Sequence, residues 1–398
     1  MNRIRSVIFA SVVLSGLATA VILPILAPLI RELRLSESQG GWMVSIGSLA
    51  MAGFAAAWSA ACDRFGRKPV MLAGFAGLFA SYALYTAIIW FGLHAALTGT
   101  TLFALLVAGR ALVGGFLPAV PAGAQALMAD NTTAAERSSG MAIISAASGV
   151  GLVLGPALGG LLALRGVIWP LFLTTGLCLA AFFVVLAAVP DAPPQPREAR
   201  PDRISPFAPA LLPWLLAGVL TMCSIVTIQI CVGFYFQDRL GLTTAETGPL
   251  LAVGLTLVGV ALFVTQVLQV KLLRWPARRM ILAGALLWIA GLLILLYTAS
   301  AMSYYLSLVI LGGGAGMLMP GYMAGASLAV PVDRQGVVAG FAAATQGIGG
   351  ILAPAASTML YEIDKALPLW CIMGLMALVF VLFVFPNPAT RAAETSAS

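Results

Sequence analysis

The sequence predicts an all-α membrane protein with 12 transmembrane helices, built as two parallel six-helix repeats. Three observations predict it. First, the 398-residue chain is 61% hydrophobic and 9% charged, with a mean hydropathy of +1.02. Soluble domains are about half apolar and about a quarter charged, so the solvent for most of this surface must be lipid. Second, the apolar runs are continuous and helix-length rather than alternating. Backbone groups in lipid must pair internally, which leaves helices once a barrel is set aside. Third, one polar stretch near the middle divides two halves that match each other in order.

A span needs about 20 apolar residues. The first run, 7–30, follows Arg3 and Arg5. With Ala18-Thr19-Ala20 it imitates a cleaved signal peptide, but apolar residues continue through Val21-Ile22-Leu23-Pro24-Ile25-Leu26, beyond a signal core. It is read as a retained span. The second run, 41–62, ends in the densest charge cluster of the chain, and the third, 70–92, follows it. The fourth, 99–123, carries Arg110, and the fifth, 138–163, is glycine-rich. The sixth, 167–189, closes the first half. The second half supplies 211–236, 248–270, 278–299, 303–326, 336–360 and 367–386. Glycine and proline inside these runs are tolerated in membrane helices.

Between the halves, residues 190–210 run from Pro190-Asp191-Ala192-Pro193-Pro194 to Ile204-Ser205-Pro206. Proline and charge make this an extended linker. The expected organisation is a six-helix bundle over 1–189, the linker over 190–210, and a second bundle over 211–398. Colinear pairs support a duplication. Arg64-Phe65 matches Arg274-Trp275, Pro118 matches Pro320, Glu136-Arg137 matches Asp333-Arg334, and Gly149, Gly151 and Pro156 match Gly347, Gly349 and Pro354. An even number of spans per unit keeps both repeats in one orientation.

Charge placement excludes other classes. Of 21 Lys and Arg, 15 fall at the N-terminus and on alternate loops: Arg3, Arg5, Arg64, Arg67, Lys68, Arg137, Arg197, Arg200, Arg203, Lys271, Arg274, Arg278, Arg279, Arg334 and Arg391. Arg31, Arg34, Arg165, Arg239 and Lys365 lie on the opposite side. The positive-inside rule then puts both termini in the cytoplasm, so the net charge of +7 reflects topology and not nucleic-acid binding. The five cysteines form no CxxC pair, and His94 is the one histidine. Metal and histidine-centred chemistry are therefore not expected. No Walker loop is present, and Gly312-Gly313-Gly314-Ala315-Gly316 lacks the preceding strand of a nucleotide loop. The chain is not expected to be an enzyme or to hold a cofactor.

Three constellations carry the chemistry. Asp63-Arg64-Phe65-Gly66-Arg67-Lys68 concentrates charge in a loop of a chain that has little. Gly149-Val150-Gly151-Leu152-Val153-Leu154-Gly155-Pro156-Ala157-Leu158-Gly159-Gly160 sets Gly151, Gly155 and Gly159 on one helix face, where another helix packs closely, and Pro156 bends the helix. Ordinary small-residue packing is the plainer reading of that face. Arg110 is the one charge deep in a span. A central arginine costs about 3 kcal/mol on insertion scales, which makes it a functional candidate. Its plainer role is to hold Ser11, Ser15 or Thr19 of the first helix.

At these residues the chain resembles the major facilitator superfamily, and within it the twelve-helix drug:proton antiporters. The resemblance covers the whole length. Asp63-Arg64-Phe65-Gly66-Arg67-Lys68 looks like that family's loop 2–3 motif, with Ser59 where the family has glycine. The resemblance implies a gating latch: Asp63 at the N-terminus of the eleventh helix near Val337, where a helix dipole favours an anion, and Arg67 paired with Asp130. A topology signal alone needs neither an aspartate nor a glycine. The fifth-helix run, with Gly151, Gly155, Pro156, Gly159 and Gly160, resembles the antiporter signature, and Arg110-Ala111-Leu112-Val113-Gly114 resembles the family's fourth-helix arginine motif. The resemblance implies coupling or substrate contact at Arg110, and a cavity-lining seventh helix makes Gln229 a second candidate. Gln125, Ser145, Ser148, Tyr235, Gln266, Thr345 and Gln346 are further polar residues in spans.

One departure matters. None of the 14 acids sits in the middle of a span. A cavity with one arginine and no acid suits neutral or anionic cargo. The expected function is export of a small organic molecule by proton antiport, from a monomer in the lipid bilayer of a bacterial inner membrane. The alternatives are export of an endogenous anionic metabolite such as a carboxylate siderophore, and a non-transporting receptor or scaffold.

Overall fold

A computed structural model describes residues 3–132, 137–190, 205–331 and 334–385. Among the described residues there is no strand, and 12 helical stretches are long and apolar enough to cross a membrane. The chain divides into two compact units, Met1–Glu198 with Leu242–Thr256, and Ala199–Gly241 with Leu257–Ser398. The linker residues 191–204, most of the expected 190–210, and the Glu136–Asp333 repeat pair lie outside the described residues.

In the first unit the helices are α1 (Arg3–Ala20), α2 (Leu26–Glu32), α3 (Glu37–Phe65), α4 (Arg67–Leu93), α5 (Gly99–Phe116), α6 (Ala119–Asp130), α7 (Arg137–Ala163) and α8 (Trp169–Ala188). The first span is not one helix. Pro24 cannot donate a backbone hydrogen bond, and a 3-10 turn over Leu23–Ile25 joins α1 to α2. Pro118 splits the fourth span in the same way, into α5 and α6. Trp58 of α3 donates from Nε1 to the Gly115 carbonyl at 2.6 Å, which satisfies an acceptor in the last turn of α5.

Helix starts and stops follow local chemistry. Ser36 caps α3: its hydroxyl accepts from the Gln39 N–H at 3.2 Å, and the Gln39 side chain accepts from the Ser36 N–H at 3.0 Å. Gly66 ends α3 and begins α4 with φ of 93°, a region where a side chain is strained. That one glycine is the whole connection between two long helices.

The second unit holds α9 (Leu212–Leu240), α11 (Ala277–Tyr297), α12 (Ala301–Leu328), α13 (Gln335–Ile363) and α14 (Leu367–Val384). Between α9 and α11 runs α10 (Thr244–Leu268), which starts in the first unit and ends in the second. A π-turn over Gln269–Leu273 follows α10 and closes on Arg274 in the left-handed region, with φ of 46°. The second copy of the charged loop therefore turns on an arginine, where the first turns on a glycine. Arg278 of α11 donates to the Phe383 carbonyl at 2.8 Å and the Val384 carbonyl at 3.2 Å. A cation there satisfies the last turn of α14 and its negative dipole end.

Close helix contacts rest on glycine. In the second unit, a methyl on Gly349 of α13 would fall 2.6 Å from the Met222 Cβ of α9, and one on Gly218 of α9 would fall 2.8 Å from the Tyr322 ring of α12. The buried Ser307 hydroxyl donates to the Gly291 carbonyl at 2.7 Å and ties α12 to α11.

Candidate functional site

The charged loop is built from the Gly66 turn outward. The turn puts Arg67 in the first position of α4, where its side chain folds inward and is 7% exposed. Its Nη1 donates to the Cys62 carbonyl at 3.0 Å, an acceptor in the last turns of α3. Its Nε lies 2.7 Å from the Asp130 Oδ2, and its Nη2 lies 3.4 Å from Oδ1. One guanidinium thus joins the ends of α3, α4 and α6. Beneath it, Cys62, Val70 and Ala119 form a small buried cluster with Trp58, Ala61 and Ala122 packed against it. A planar fork over an apolar floor holds a carboxylate with two donors, which a lysine cannot do.

The other loop residues differ in surroundings. Arg64 is exposed, and its guanidinium stands 5.1 Å from the Phe65 ring centroid. Lys68 is half-buried, as is Asp63. Among the described residues Asp63 makes no ion pair, so its charge is available to a further partner.

Arg110 lies midway along α5, half-buried, beside Tyr82 and Tyr85 of α4. It makes no ion pair among the described residues. Its helix packs on α3 at Gly47. A methyl on Gly47 would fall 2.9 Å from the Arg110 Cγ and 3.2 Å from its carbonyl oxygen, and a methyl on Gly114 would collide with the Gly47 carbonyl. The arginine and the glycine four residues on therefore share one face and seat α5 directly on the α3 backbone. Tyr82 is 1% exposed, and its hydroxyl faces the Arg110 side chain. A cation beside two phenols, with no carboxylate, is a polar island in an apolar bundle.

The glycine face of α7 lies along α1. A methyl on Gly151 would fall 2.9 Å from the Gly16 Cα, one on Gly155 would meet Ala20, and one on Gly159 would meet the Val21 carbonyl and come within 3.1 Å of Pro24. Gly160 faces the other way and abuts Ala252, in the part of α10 that belongs to the same unit. Pro156 is buried within α7. Gly149 faces open space.

Gln229 sits midway along α9, half-buried, and makes no hydrogen bond among the described residues. It stands in the second unit, so the structure does not bring it together with Arg110 within one unit. Ser148 donates to the Ile144 carbonyl of its own helix at 3.0 Å, whereas Thr345 donates to the Ala342 carbonyl at 2.7 Å and reaches the Tyr322 hydroxyl of α12 at 3.5 Å. Gln125 and Gln346 are exposed. The side chain of Ser145 lies outside the described residues.

A second charged cluster escapes sequence reasoning. The Tyr361 hydroxyl of α13 donates to the Asp238 Oδ2 of α9 at 2.7 Å, and the Lys365 Nζ lies 3.2 Å from the same oxygen. The apolar run of the seventh span, 211–236, stops before Asp238, so hydropathy places this acid outside the span. The helix continues to Leu240. A tyrosine one turn before a lysine at the end of another span was the one available signal.

No described group of three His, Cys, Asp or Glu is placed to hold a metal ion. An open groove of about 340 Å³ between α4 and α8, with Thr86, Trp90, Phe172 and Thr175 in its wall, holds no charge and none of the residues above.

The sequence and the fold both have relatives. The profile of the Major Facilitator Superfamily matches residues 8–354 and 274–398. The tetracycline resistance protein, class G, of Vibrio anguillarum is 29% identical over 367 residues, covering 88% of each chain. Multidrug resistance protein 1 of Bacillus subtilis (strain 168) is 25% identical over 412 residues, covering 99% of each chain. Among solved structures, a D-xylose-proton symporter superposes with a TM-score of 0.77 at 16% identity, covering 98% of each chain. At that identity the likeness concerns the fold.

Proposed function

The chain belongs to the Major Facilitator Superfamily, and from that premise we infer that it is a secondary active transporter which exports a small organic molecule in exchange for protons. It is a multi-pass membrane protein and a transporter, not an enzyme. The observation that carries the export reading is that proteins named for tetracycline and multidrug resistance align with it over most of both chains. No observation favours a siderophore cargo or a receptor role.

The chemistry of the site supports the following division of work. The two six-helix bundles, 1–189 and 211–398, joined by the linker 190–210, rock against each other. Asp63, Arg64, Gly66, Arg67 and Lys68 with Asp130 form the gate at the cytoplasmic side. The Arg67–Asp130 pair fixes the loop, and Asp63 stays available to bind a helix N-terminus when the gate closes. Gly151, Gly155, Pro156, Gly159 and Gly160 give a bundle helix a smooth face on which to pack. Arg110 and Gln229 face the cargo, and a cavity with a cation and no acid prefers neutral or anionic molecules. The transporter works as a monomer in the bacterial inner membrane, with both termini in the cytoplasm.

Uptake of tetracycline into inside-out vesicles, with and without an imposed pH gradient, tests this reading. Gradient-driven uptake that collapses with a protonophore is the expected result. Uptake that ignores the gradient removes proton antiport.

A further inference from the structure

A proton-driven exporter needs a group that takes and releases protons. No acid lies in the middle of a span, so the acids at the span ends are the candidates. Asp238 is the most shielded carboxylate in the described ion pairs, with its side chain 16% exposed against 21% for Asp130 and 23% for Glu37. It also sits at the end of α9 that the charge asymmetry puts outside, where protons enter an exporter.

Its partners make a proton there consequential. Oδ2 accepts from Tyr361 at 2.7 Å and pairs with Lys365 at 3.2 Å, and both belong to the end of α13 and the turn beyond it. These two contacts tie the ends of α9 and α13 together. Two turns before Tyr361, α13 carries Pro354, which lacks an N–H and weakens the helix at that level. Ser357 and Thr358 donate to the Pro354 carbonyl at 3.3 and 2.8 Å, further loosening the regular ladder. The segment from Pro354 to Ile363 is thus a short lever with a hinge at one end and a charge-dependent tether at the other.

We propose that Asp238 is a proton-binding site of the transport cycle, and that its proton releases the end of α13 from α9. The carboxylate takes one proton and becomes neutral. Lys365 then loses its counter-ion, and the Tyr361 bond loses the charge that makes such bonds about twice as strong as neutral ones. The other ionisable groups at this end are Tyr235 and Arg239 of α9, Tyr304 of α12, and Glu362 and Asp364 at the end of α13. Arg239 lies beside Tyr235 and Tyr304, and Asp364 beside Tyr235. The neighbouring α14 carries no charge. Asp238 is the carboxylate in this set that is bonded across two helices by both a phenol and an ammonium.

The inference rests on the antiport reading, and the test separates the two. Full-length protein in proteoliposomes is assayed with tetracycline as the probe, for gradient-driven uptake and for exchange without a gradient. Asp238→Asn is expected to lose gradient-driven uptake by about tenfold or more while exchange persists, and Asp238→Glu to restore it. Gradient-driven uptake retained by a folded Asp238→Asn protein overturns the inference. If Asp238→Asn does not fold, Tyr361→Phe keeps the carboxylate but removes a donor to it. That change should move the pH dependence of uptake upward by roughly half a unit or more, and an unchanged profile overturns the inference. If the wild-type protein itself ignores the gradient, antiport fails, and infrared titration still decides about Asp238. A carboxyl band that grows on acidification and is missing in Asp238→Asn supports the site, and its absence from the wild type overturns it.

Discussion

At the scale of single residues, rarity carries the information. Charge in lipid is expensive, so Arg110 stands out in the sequence, and the 63–68 loop stands out because only 9% of the chain is charged. Arg110→Ala should insert at least as well as the parent, since an insertion cost is removed. Both Arg110→Ala and Arg110→Lys should lose transport by about tenfold or more, because an ammonium cannot replace the planar fork beside two phenols. The assay is vesicle uptake normalised to membrane protein, and full activity in the lysine variant would leave Arg110 a merely structural charge. Gly66→Ala is expected to destabilise the first unit by about 1 kcal/mol, because φ of 93° strains any side chain. Thermal unfolding in detergent measures it, with Gly53→Ala, which faces open space, as the control. Asp238 and Tyr361 were not legible in the same way. They lie 123 positions apart, and neither interrupts an apolar run. Only the pairing of α9 with α13 gives them meaning, and a single sequence does not state which helices pair.

At the scale of elements, composition located the spans, and local chemistry altered them. The Pro24 and Pro118 breaks divide runs that read as continuous, because hydropathy records what is apolar and not which N–H is missing. The glycine face of α7 was legible as a periodicity, but its partner α1 was not. That contact makes a sharp prediction. Gly155→Val places bulk where even a methyl meets Ala20, and should cost about 1–3 kcal/mol of stability, with matching loss of transport. Gly149→Val, six positions earlier and facing open space, should be nearly silent. Equal damage from both would mean that the helix tolerates no branching at all, and that the α1 contact is not the reason for the glycines.

At the scale of the whole molecule, the distribution of charge makes the prediction. Positive residues on alternate loops call for twelve crossings with both termini inside. Reporter fusions after residues 95 and 398 should therefore report opposite sides, outside and inside respectively. The same side for both would contradict the topology and remove the external position of Asp238 with it. The number of spans was legible because about 20 apolar residues are needed for each. The assignment of the first half of α10 to the first compact unit was not, since it depends on packing between distant segments such as Gly160 and Ala252.

Arg278 gives the second unit an order in time. The carbonyls it binds, on Phe383 and Val384, are made more than a hundred residues after it. Until they leave the ribosome, α11 sits in the bilayer with a guanidinium near its own N-terminus, where the helix dipole repels it. The last turn of α14 works as a clasp that shuts only when synthesis is nearly done. Nascent chains stopped before residue 383 should accordingly be cleared by membrane proteases faster than chains stopped just beyond 385.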